Sequence, residues 1–511
     1  MSSSHPPGNR WLILLVVVLA YLPIVIDMTV LHIAVPSLTL SLGASGEQVL
    51  WIIDIYPLIM AGLLVPMGTL ADRIGSRPML LTGLLVFVGM SCVAAYAPTA
   101  GALIAARAGM AVGAAMALPC TLAIIRRAFE SPKERGIALG LWGTVASAGA
   151  ALGPLVGGAL LEHYWWGSVF LINLPVMLLI WPLAYVLVPR DAGSGSGGSG
   201  GWKIGQALLL IAGIIASVHA LKSGLKPGGP SWVSGLTLLV GVLLLADFVR
   251  RQLTSAEPML DLSLFARPAI RSGLIMALVV SGALAGTELT IAQELQLVLG
   301  CTPLQAGLFL LPLMIAAGVG GPLAGYLASL VGLRRVATTA LLCSAISLAG
   351  LGFSDFREAG LAVVGLLVLL GLALSIGLTA SSIAIMGAAP VSKAGAAGAL
   401  EATGYEMGTG LGITAFGVLL SSVYGAAIHL PGGVPEAVKD QAIRSLSDTL
   451  VAAERLDATL AAPLAQAGRE AFSAAHGAVL LSAATLLVGL AVVVFLSLGK
   501  EEGSEPAAVG H

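Results

Sequence analysis

The chain has 511 residues, 57% hydrophobic and only 10% charged, with a formal net charge of −1. A soluble domain carries about 25% charged residues, so lipid rather than water must be the solvent for most of this surface. The near-zero charge argues against a nucleic acid partner. Cys92, Cys120, Cys301 and Cys343 show neither disulfide nor metal-ligand spacing.

An apolar stretch of about 20 residues can cross the hydrocarbon core. Fourteen such spans are expected, near 12–36, 48–70, 78–97, 101–125, 136–161, 167–188, 203–222, 231–250, 270–298, 303–328, 334–354, 359–386, 393–424 and 472–498. The first carries Asp27 and lacks a small-residue cleavage site, so it reads as a retained helix and not a signal peptide. An even number of spans puts both termini on one side. Lys and Arg number 17 on that side and 7 on the other, where Lys222 is counted, so both termini are expected in the cytoplasm.

Between spans 6 and 7 the run 192–201, AGSGSGGSGG, reads as a flexible linker. The pattern Gly68-Thr-Leu-Ala-Asp72-Arg73-Ile-Gly75-Ser-Arg77 after span 2 returns after span 10 as Gly325-Tyr-Leu-Ala-Ser329-Leu-Val-Gly332-Leu-Arg334, 257 residues on. Asp27 similarly answers to Glu288. The expected organisation is therefore an all-α membrane protein of two six-span repeats around a midplane cavity, a secondary-transporter plan. Residues 1–190 form the first bundle, 191–202 the linker, 203–250 two inserted spans, 251–498 the second bundle, and 499–511 a tail. A polar outer loop, 425–471, has helical composition over 435–469 and is expected to cap the structure or gate exit.

Five acids and one base, Asp27, Asp54, Glu288, Glu401, Glu406 and Arg107, fall inside spans. Intramembrane charge is costly and is by default functional. A rise of about 1.5 Å per residue places Asp27, Asp54 and Arg107 at similar heights in the outer half, where one cluster is expected. Burial and a nearby arginine pull the proton affinity of a carboxylate in opposite directions. Asp27 is therefore expected to exchange a proton, and the ionised form to hold a cation. Glu401 and Glu406 are five residues apart, about 140° around a helix, so they do not share a face. Tyr405 beside Glu401 suits a cation. Of the aromatics Trp51, Tyr56, Trp142, Phe309 and Tyr405, Trp142 and Tyr405 are the best placed to line a cavity. His32 and the methionines read as packing.

The segment 68–77 resembles motif A of the major facilitator superfamily, in which Gly68, Asp72, Arg73, Gly75 and Arg77 would shape and latch a cytoplasmic turn. Gly149, Gly153, Pro154 and Gly157 in span 5 resemble the antiporter motif C, where small residues let helix backbones touch. Arg107-x3-Ala-x-Gly113 resembles motif B. With 27–36 (DMTVLHIAVP), 50–56 (LWIIDIY) and 166–175 (WGSVFLINLP), the likeness covers nearly the whole chain and is to the fourteen-helix drug:proton antiporter-2 family.

That resemblance implies a proton-coupled exporter of lipophilic mono- and divalent cations, such as quaternary ammonium antiseptics, bisbiguanides, viologens and dyes. Burial, depth and repeat position, with the resemblance added for Arg107, Glu401 and Glu406, give Asp27, Arg107, Glu288, Glu401 and Glu406 as the expected proton-coupling residues. The residues expected at the substrate are Asp27, Asp54, Trp142, Glu288, Glu401, Tyr405 and Glu406. Some of the family's exporters place a further acid in span 10, where this chain has Ala317. No enzyme activity, cofactor or metal is implied. The expected partners are cationic drugs, protons and membrane lipids, for a monomer in the bacterial inner membrane. An exporter of a lipid, siderophore or other metabolite is the alternative on the same fold.

Overall fold

A computed structural model of the chain describes residues 9–189, 204–224, 232–255, 258–260, 262–358, 360–390 and 393–498. The expected linker 191–202 and tail 499–511 lie outside the described residues. The elements are α1 (Asn9–Leu42), α2 (Gly46–Ile74), α3 (Ser76–Ala95), α4 (Ala100–Ala128), α5 (Pro132–His163), α6 (Ser168–Leu171), α7 (Asn173–Leu187), α8 (Ile204–Gly224) and α9 (Trp232–Thr254). There follow α10 (Pro268–Gln293), α11 (Pro303–Val331), α12 (Leu333–Gly352), α13 (Leu361–Ala388), α14 (Ala394–Ala427), α15 (Glu436–Ala442), α16 (Leu446–Ala453) and α17 (Ala458–Leu498). Among the described residues, 13 helical segments are long and apolar enough to cross a membrane. The 32-residue α5 supplies the remaining expected span.

The sequence repeat is also a repeat of helix ends. Ser45 and Gln48 make a capping box at the start of α2, and Thr302 and Gln305 make one 257 residues on, at the start of α11. Both helices end on a glycine with left-handed backbone, Gly75 at φ 99° and Gly332 at φ 88°. A side chain there would be strained, so the glycines of the repeated motif are what let the chain reverse into α3 and α12.

Two apolar cores form, one mainly from α1–α7 and one from α10–α14 with α17. A third lies under the inserted pair, where Leu210, Ile214 and Val218 of α8 join Leu58 and Val65 of α2 and Leu274 of α10. The halves meet chiefly through α2 against α14 and α5 against α11. On the face that carries the loop 425–471, here the loop face, Gln296 Nε2 donates to Ile33 O at 3.1 Å and Thr302 Oγ1 lies 3.3 Å from Glu162 Oε2. The loop 425–471 builds α15, α16 and the first turns of α17, and Ser445 at the start of α16 sits against Gly46 of α2.

Candidate functional site

A cavity of about 590 Å³ lies between the halves, walled by α1, α2, α4 and α5 on one side and α10, α11, α13 and α14 on the other. Arg107 lines it from α4, with Asp27 of α1 behind, Arg107 Nη1 standing 2.5 Å from Asp27 Oδ2. Both side chains are almost completely buried. Arg107 Nε also donates to Ile52 O at 3.2 Å, and its guanidinium lies 4.7 Å from the centre of the Tyr56 ring. The Asn173 amide approaches the same Asp27 carboxylate. Their mutual attraction and hydrogen bonds offset part of the desolvation cost that each charge suffers there.

Across the cavity, Glu288 of α10 faces His32 of α1, with Oε2 3.3 Å from Nδ1. Glu401 lines the wall from α14, and the Tyr405 hydroxyl lies 2.8 Å from Glu401 Oε1 and 3.2 Å from Ser381 Oγ. Glu406 is not among the residues that line the cavity. It is buried in the neighbourhood of Tyr21 and Tyr56, and Oε2 has no hydrogen-bond partner among the described residues. Trp142 lines the cavity, stacked on Tyr21 with ring centres 4.6 Å apart and planes 7° from parallel. Its indole N–H is held by Thr121 Oγ1 at 3.2 Å. Tyr56 and Tyr405 also face the space, whereas Phe309 packs on Phe356 and Trp51 on Lys222.

Asp54 does not join the Asp27–Arg107 pair. It is fully buried outside the cavity, where Lys222 Nζ and Thr414 Oγ1 each reach its Oδ2 at 2.6 Å. Lys222, counted from the sequence as an outer-loop charge, is buried, because α8 carries it down against α2. A lysine ending an apolar run looks the same in sequence whether it snorkels to the interface or turns inward. His32, Asn173 and Thr414 were likewise invisible as partners, since the residues they meet are distant in the chain. The one available signal was that a histidine inside a span is rare enough to suspect.

The motif residues have separable jobs. Gly68 packs beside Pro119 of α4, and Arg77 donates to Tyr185 O while standing 4.8 Å from that ring. The Asp72 side chain is exposed and makes no hydrogen bond or ion pair among the described residues. Gly149, Gly153 and Gly157 receive α1, at Val25, Thr29 and Val30 respectively. The Pro154 carbonyl lies against Gly307 of α11. These contacts allow α5 to sit between the halves.

Two repeated bundles around a central cavity are the plan of a membrane transporter. Residues 17–413 match the model of the Major Facilitator Superfamily, and the chain belongs to that family. Methyl viologen resistance protein SmvA of Salmonella typhimurium is 46% identical over 494 residues, 97% of this chain and 99% of the relative. Multidrug efflux pump LfrA of Mycolicibacterium smegmatis is 35% identical over 498 residues, 96% and 97% of the two chains. A bacterial homolog of the human lysosomal transporter Spinster, in an inward-facing and unoccupied conformation, superimposes with a TM-score of 0.68 at 19% identity, covering 98% of this chain and 100% of that one. That likeness bears on the fold alone. The chain is accordingly a multi-span transporter of the bacterial inner membrane, not an enzyme, and its relatives are drug-efflux proteins.

Proposed function

We propose that the chain exports lipophilic cations, including flat dications such as the methyl viologen named for its relative, in exchange for protons, with both termini in the cytoplasm. The observation that carries this reading is the cavity wall. Glu288 and Glu401 stand in it on one half, and Arg107, Tyr21 and Trp142 on the other. Carboxylates attract a cation only when ionised, and aromatic faces add attraction for a flat one. A carboxylate that has taken a proton from outside no longer holds the drug, so proton and cation exclude each other and exchange follows.

Moving one charge across 100 mV costs about 2.3 kcal/mol, so a dication needs at least two protons for charge balance. Asp27, Glu288, Glu401 and Glu406 provide the carboxylates for this count. Drug-induced proton release in everted vesicles tests the reading, with mono- and dications compared for the wild type and for each acid neutralised in turn. Release that scales with substrate charge and falls in the variants is expected. Wild-type vesicles that release no protons on addition of any cation would sink the proposal and favour export of an uncharged metabolite.

A further inference from the structure

The contact between α2 and α14 has a register. Leu50 fits against Gly417, Asp54 against Thr414, and Leu58 against Gly410. The rungs fall about one turn apart on antiparallel helices, and the glycines at both ends let the backbones approach. Only the middle rung is polar. In the interface related by the internal repeat, α11 against α5, the described residues form no buried polar rung at the matching level. There Gly307 meets the Pro154 carbonyl, Gly158 meets the backbone of Pro303 and Leu304, Asp54 is replaced by Leu311, and the polar contact described, Thr302 to Glu162, sits at the exposed loop end.

The difference between the two interfaces is the inserted pair, which flanks only the first. Ile211 of α8 fills a notch at Gly62 of α2, and Lys222 is carried to Asp54 with its Nζ 3.9 Å from the Trp51 ring centre. Side-chain exposure is 1% for Lys222 and 0% for Asp54. Pulling these two apart would strand charge in the membrane interior. Thr414 approaches the same oxygen from the other half with a neutral hydroxyl, which can leave without stranding anything charged.

We propose that Lys222 is a positioning residue for transport: it fixes Asp54 toward α14, so that the Asp54–Thr414 hydrogen bond clasps the halves and parts whenever the loop face opens. The inserted pair then travels with α2 and Asp54 as one body. This gives the two additional helices a task, and it holds whichever ion drives transport.

The test uses full-length protein with Cys92, Cys120, Cys301 and Cys343 replaced by Ser. A single reporter, Thr290→Cys, lines a small cavity near the loop face. Labelling by a membrane-impermeant maleimide is timed on intact cells, beside drug resistance. Thr414→Val is expected to label at least about tenfold faster, the population shift carried by a hydrogen bond to a charged group, while Thr414→Ser labels like the parent. Lys222→Met with Asp54→Leu, which leaves no buried charge behind, is expected to label like Thr414→Val and to lower resistance. Parent-like labelling of Thr414→Val, or parent-like labelling and resistance in the double variant, would overturn the proposal and reduce the pair to a structural one.

Discussion

His32 and Glu288 face each other across the central cavity, Nδ1 3.3 Å from Oε2, one on each half of the molecule. A carboxylate so placed can be held by the opposite half or by a cation between the halves, but not by both. Glu288→Gln is therefore expected to lower resistance to a divalent viologen about tenfold and to a monovalent quaternary ammonium by less than about threefold, since one missing charge weighs more when two must be balanced. Minimum inhibitory concentrations at matched membrane levels check this; equal losses for both substrates would contradict it.

Asp27→Asn leaves Arg107 buried and unpaired. Breaking a buried pair costs about 3–5 kcal/mol, so lower membrane abundance is expected along with loss of drug-driven proton release. Adding Arg107→Gln should restore abundance without restoring release. Recovery of both would show that the pair only stabilises the fold.

Trp142→Ala removes a stacked ring from the cavity wall. An aromatic face is worth up to about 2 kcal/mol to a desolvated cation, so the dissociation constant for a flat cation should rise about tenfold. Trp142→Phe should keep most of the affinity. Ligand titration of purified protein in nanodiscs measures both, and unchanged binding in the alanine variant would remove Trp142 from the site.

A Cβ on Gly412 would strike the Gly282 backbone of α10, whereas one on Gly398 of the same helix meets nothing within 4 Å. Overpacking costs about 1–3 kcal/mol and more where backbone cannot yield. Gly412→Val should therefore lose most monodisperse protein on size exclusion, with Gly398→Val near normal. Similar recoveries would mean that α10 and α14 are less tightly packed than described.

Outside the membrane, burial raises the pKa of Asp448 at the start of α16, against the opposing pull of its Ser445 hydrogen bond and of Arg444. The folded cap thus binds this proton more tightly than the unfolded chain does. Its contribution is fully present below the ordinary Asp pKa of about 3.9 and fades as pH rises through the higher folded value. Hydrogen exchange of α16, corrected for intrinsic rates, should show protection falling as pH rises above about 4. Asp448→Asn should flatten that fall, and an unchanged slope would assign it to another group.

How much could be read without coordinates follows from the range of each interaction. Lipid exposure demands long apolar helices, so the spans, the Gly75 and Gly332 turns and the repeat between them were legible from composition and local pattern. The pairing of Asp27 with Arg107 could be anticipated because depth is nearly linear in residue number along a straight helix. Asp54 shows where that reasoning stops. Depth placed it beside Arg107, but rotation about the α2 axis and the docking of α8 turned it to Lys222 and Thr414. Glu401 and Glu406 were separable by the helical period alone, while which of them faces the cavity depended on how α14 is turned between its neighbours.

Hydropathy and turn chemistry act within a few residues, so residence in lipid, the repeated six-helix unit and the few costly buried charges can all be read from the order of residues. Which charges meet is a matter of packing between distant segments. Helix rotation and interhelical register are set by close packing of side chains from distant segments, and no local pattern specifies them.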